Sequence, residues 1–98
     1  MQAPDEARER ALLLLRSNHS FPGPFDFRVV LTPGNQEAVL RTITNTLGDP
    51  SAVHDVSERA SRKGNFISLH VHVTLPEAES ALACWDALKR TDGVITIF

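Results

Sequence analysis

The chain has 98 residues and a mass near 10.8 kDa, which is room for one domain rather than two. With 42% hydrophobic and 22% charged residues it is neither disordered nor fibrous, and 10 Lys+Arg against 12 Asp+Glu, a net charge of −2, argues against a general polyanion binder. The single cysteine, Cys84, excludes an internal disulfide framework and fits a reducing compartment.

Pro4 to Ser17 reads as a helix. Pro4 suits a first turn, Asp5 and Glu6 favour a helix N-terminus, and the leucines Leu12 to Leu15 are good helix formers. Leucines in succession wrap the cylinder, so this segment is expected to dock on the domain or on a second copy. Pro22, Gly23 and Pro24 make a connector. From Phe25 to Leu31 the pattern alternates. Phe25, Phe27, Val29 and Leu31 point one way, and Asp26, Arg28 and Val30 the other, which predicts a half-buried strand. Thr32-Pro33-Gly34-Asn35 breaks it, with Asn35 placed to cap a helix carrying Val39, Leu40, Ile43 and Leu47 and ending at Gly48.

Ala52 to Ala60 is a weaker strand, and Ser61 to Asn65 reads as a hairpin turn centred on Lys63-Gly64. Phe66 to Leu75 is the clearest strand, with Ile67, Leu69, Val71, Val73 and Leu75 on one face and Ser68, His70, His72 and Thr74 on the other. A two-residue turn would set Asp55 opposite His72, Ser57 opposite His70 and Arg59 opposite Ser68. It would also put Glu58 on the apolar side, so a bulge or a longer turn is expected. Pro76 is predicted to open a helix with the stripe Ala78, Ala81, Leu82, Trp85 and Leu88. Asp92-Gly93 turns the chain into a last strand, Val94 to Phe98.

After the leading helix the order strand, helix, strand, strand, helix, strand predicts an α+β, ferredoxin-like βαββαβ sandwich. Its four-stranded antiparallel sheet should run 4-1-3-2, with both main helices on one face. Residues 1–20 are read as the extra N-terminal helix and connector, and residues 21–98 as the sandwich. The longest apolar run, Ala11 to Leu15, has five residues, far below the ~18 a membrane span needs. Acidic Asp5, Glu6 and Glu9 stand where a secretory signal would be basic. The expectation is a cytoplasmic protein with no membrane contact.

Phe21-Pro22-Gly23-Pro24-Phe25-Asp26-Phe27-Arg28-Val29, followed by Ser61-Arg62-Lys63-Gly64-Asn65-Phe66-Ile67-Ser68, resembles the small bacterial DUF493 family, also called YbeD-like or UPF0250. The similarity spans about Leu13 to Phe98, and its specific part is the Ser-x-Lys-Gly-Asn-aromatic-x-Ser hairpin. The resemblance implies an ACT-like version of the ferredoxin-like fold and no established activity. In ACT-like domains the loop corresponding to Thr32–Asn35 serves a small-ligand site, which makes Pro33, Gly34 and Asn35 candidate ligand residues. Backbone amides at a helix N-terminus suit a carboxylate.

Chemistry-bearing motifs are sparse. His70-x-His72 points two imidazoles the same way and, with Asp55, has the composition of a metal site. The resemblance brings no metal, however, so polar residues on an open face are expected rather than a tight zinc site. No cofactor is expected. Cys84 beside Trp85 reads as a small buried hydrophobe, and no nucleophile, base and orienting group assemble. Catalytic residues are expected to be none.

The reading is a non-catalytic regulatory or adaptor domain, homodimeric or bound to a protein partner, with a small-molecule ligand possible. Its contact surface would include Arg28, Asp55, Arg59, Arg62, Lys63, His70 and His72. The alternative is an RNA-binding module using the open sheet and the basic hairpin, against which stand the absent RNP1 consensus and the negative charge.

Overall fold

The computed structural model describes residues 4–98. Its elements are helix α1 (Pro4–Asn18), strand β1 (Gly23–Leu31), helix α2 (Gln36–Leu47), strand β2 (Val53–Ala60), strand β3 (Ile67–Leu75), helix α3 (Ala78–Lys89) and strand β4 (Val94–Ile97). One antiparallel sheet runs β2-β3-β1-β4, the expected order read from the other edge. The pattern of the two central strands dictates its sidedness. Phe25, Phe27, Val29 and Leu31 of β1 and Ile67, Leu69, Val71, Val73 and Leu75 of β3 are all buried. The helices close over that face with Val39 and Ile43 of α2 and Ala78, Ala81, Cys84 and Leu88 of α3. Trp85 stands edge-on to Phe27, ring centroids 6.2 Å apart at 89°, and edge-on to Phe25 at 5.9 Å.

Helix α1 joins the helical layer and does not cross the sheet. Leu12 and Leu15 enter the same core, and Arg16 reaches Glu79 of α3 at 2.8 Å. The glutamate's carboxyl is held below its ordinary range, first by the backbone N–H of Glu79 itself and then by Arg16. Leu13 and Leu14 point outward, 63% and 59% exposed. The leucine run therefore splits into an inner pair and an outer pair, as the helical period requires.

Several local expectations are corrected. Asn35 does not cap α2 with its side chain. Its Nδ2 donates to the carbonyl and hydroxyl oxygens of Thr32, at 3.2 and 2.7 Å. Pro76 lies before α3, whose N-cap is Glu77. The hairpin loop, by contrast, is longer than two residues, one of the two outcomes expected: Gly64 donates to the Ser61 carbonyl and Ser61 to that of Phe66. Gly64 has φ +74°, a left-handed conformation that glycine adopts at no steric cost. The register is nevertheless the expected one, and the bulge falls at the far end of β2, between Val53 and Asp55. Glu58 is not buried, because β2 is an edge strand exposed along nearly its whole length. Its carboxylate accepts from Gln36 Nε2 at 3.3 Å. A second bulge, in the β1–β4 pairing, leaves Ile95 unpaired and exposed.

Candidate functional site

The alternation that buries the apolar residues sends the polar ones to the helix-free side of the sheet. There β1 pairs with β3 so that Asp26 faces His72, Arg28 faces His70 and Val30 faces Ser68. From the other flank β2 sets Asp55 against His72, Ser57 against His70 and Arg59 against Ser68. Beyond β1, Arg28 and Phe98 exchange both backbone hydrogen bonds, at 3.0 and 2.8 Å, and this pairing places Phe98 at the rim. The result is a row Asp26–His72–Asp55 beside a row Phe98–Arg28–His70–Ser57.

Over the second row lies a shallow depression of about 380 Å³, lined among others by Arg28, Ser57, Arg59, Ser68, His70 and Phe98. In the first row His72 Nδ1 lies 2.5 Å from Asp26 Oδ1, and the His70 and His72 rings lie 4.1 Å apart, centroid to centroid. His70 Nε2 is 3.5 Å from Asp26 Oδ2. It is shielded from solvent and has no hydrogen-bond partner among the described residues. One row over, His54 Nε2 and Thr74 Oγ1 form a short contact of 2.5 Å.

Of the sequence candidates, Arg28, Asp55, Arg59, His70 and His72 come together on this face. Arg62 and Lys63 are exposed at the hairpin tip and do not line the depression. Pro33, Gly34 and Asn35 form the β1–α2 corner. There Gly34 N–H donates to Gln36 Oε1 at 2.8 Å, and the Asn35 amide is committed to Thr32. The carboxylate beside the histidine pair is Asp26 of β1, where the sequence had suggested Asp55. Asp26 already read as outward-facing in the alternation of β1. Its partner was hidden because β1 and β3 are joined by no hairpin that would fix their register. Phe98 was missed as a rim residue for the same reason.

The model of the family described as "Protein of unknown function (DUF493)" matches residues 16–98. The chain is also similar to the solution structure of protein HP0495 from H. pylori. The two are 17% identical, with a TM-score of 0.68 over 82% of this chain and 85% of that one, a likeness of fold. No curated protein matches the sequence. The family match covers the whole sandwich and the end of α1, including the Ser61–Ser68 hairpin, and the chain belongs to the DUF493 family.

Proposed function

We propose that this protein is a small non-catalytic regulatory or adaptor domain of the cytoplasm. Its contact surface is the helix-free face of the sheet, and what it takes there is an anionic group presented by a protein partner. One observation carries the reading. The apolar side of the sheet is closed by three helices, while the other side bears an uncovered depression with Arg28 and Arg59 on its wall. Guanidinium groups on a half-apolar surface suit planar carboxylates, and the exposed Phe98 ring offers apolar area beside them. A non-catalytic role is supported by Cys84, the chain's one thiol, which is sealed in the core and remote from this face.

The test is capture from native lysate on immobilised wild-type protein and on the Arg28→Glu, Arg59→Glu variant, with and without ribonuclease. A protein retained by the wild type and released by the variant supports the proposal. Equal retention by both would sink it. Retention that vanishes with ribonuclease, together with a salt-dependent shift of labelled RNA, would transfer the face to the RNA-binding reading.

A further inference from the structure

We infer that Asp26, His70 and His72 form a binding site for a divalent transition metal of the zinc class, held on the two central strands of the sheet. Each of the three residues offers a donor atom such that all lie within 4.8 Å of one another, and the ring nitrogens facing the Asp26 carboxylate are His70 Nε2 and His72 Nδ1. A tetrahedral ion with bonds of ~2.0–2.1 Å holds its ligand atoms roughly 3.3 Å apart. Here His72 Nδ1 lies 2.5 Å from Asp26 Oδ1 and His70 Nε2 lies 3.5 Å from Asp26 Oδ2, so each imidazole already has one carboxylate oxygen near that spacing.

Two further observations point to a cation. His70 Nε2 is withdrawn from water and lacks a hydrogen-bond partner among the described residues, a costly state for an imidazole nitrogen that coordination would relieve. The three donors also sit on β1 and β3, the only strands of the sheet flanked on both sides. The site is therefore built on regular strands paired on both flanks and not on loops. The imidazole pair selects against Ca²⁺ and Mg²⁺, which take all-oxygen shells, and in favour of Zn²⁺, Co²⁺ or Ni²⁺. Asp55, facing His72 from β2, adds negative charge. Arg28, facing His70 from β1, is the opposing charge and lines the neighbouring depression. The outer side of the cluster is open, since Asp26 is exposed and both histidines are partly so. A bound ion would keep a coordination position for water or for a ligand's carboxylate. The cluster needs no protein partner on the adjoining depression, since all three donors belong to this chain.

The experiment titrates full-length, untagged, chelator-treated protein with Zn²⁺ by calorimetry and with Co²⁺ by visible absorption. Expected are one equivalent of saturable uptake and the d–d bands of a low-symmetry Co²⁺ site. Affinity should weaken roughly tenfold or more in Asp26→Asn, His70→Gln and His72→Gln, and hold in His54→Gln. Circular dichroism checks that each variant is folded. Nitrogen-15 imidazole spectra of the wild type, which need no variant, should show Zn²⁺ shifting His70 Nε2 and His72 Nδ1. No saturable uptake, uptake that survives loss of both histidines, equal loss in His54→Gln, or unshifted His70 and His72 nitrogens would each overturn the site.

Discussion

Asp26 and His72 lie opposite each other on the two central strands, and their side chains meet at 2.5 Å on the uncovered face. Both are substantially exposed, at 50% and 40%. Exposed pairs of this kind contribute only ~0–1 kcal/mol, because solvent screens them and ordering two side chains costs entropy. Asp26→Asn should therefore shift the urea midpoint little, corresponding to less than about 1 kcal/mol. A loss of several kcal/mol would mean that the pair is a structural strut and not a group held ready for a ligand.

Phe27 is the contrasting case on the same strand, one residue away and on the opposite face. It is fully buried and meets Trp85 edge to face. Phe27→Ala should cost about 3–5 kcal/mol through lost burial and the cavity left behind. Urea denaturation reads this as a lower midpoint. The slope should be unchanged if unfolding stays two-state.

The leucines of α1 make a position-by-position test of how that helix docks. Leu12 and Leu15 belong to the core, so alanine at either should cost about 2–3 kcal/mol. Leu13 and Leu14 are exposed, and serine at both should leave the unfolding midpoint within about 0.5 kcal/mol. If a second copy of the chain uses that outer pair, sedimentation of the serine variant will show the loss of a dimer that the wild type forms. A wild-type monomer would remove the dimer altogether.

The sandwich was legible in the sequence because its central strands alternate cleanly. Phe25 to Leu31 and Ile67 to Leu75 each put one apolar face toward the helices, and a one-residue slip would expose every one of those side chains. The β2–β3 register was legible too, since a hairpin ties Ala60 to Ile67. What stayed hidden was set by long-range contacts. The facing of Asp26 and His72 depends on a β1–β3 pairing that no local turn dictates. The exposure of Glu58 depends on β2 lying at the edge of the sheet, where Gln36 at the start of α2 meets its carboxylate without burying it. The Asn35 backbone, at φ −109° and ψ 10°, is not in the extended conformation of a capping residue, and its side chain turns so that Nδ2 donates to Thr32. Asn side chains bond nearby backbone and side-chain groups in several geometries, so the residue type alone did not settle this one.

Cys84 provides a pH-dependent prediction whose sign follows from burial. Its thiol is enclosed by the core, and desolvation of the thiolate pushes its pKa from 9.0 up to about 11. The thiolate is the reactive form, so native protein should react with a disulfide reagent at neutral pH only as fast as it opens, and promptly once unfolded in urea. The linkage runs in the same direction. Between pH 9 and 11 the folded chain keeps a proton that the unfolded chain releases, so stability is intact below pH 9 and falls as pH rises through that window. Cys84→Ala should lower stability at pH 7 by leaving a small void. Its unfolding midpoint should then decline less between pH 9 and 11 than that of the wild type. Parallel declines would show that the thiol does not contribute to the alkaline loss, and prompt labelling of the native protein at pH 7 would show that Cys84 is not enclosed as described.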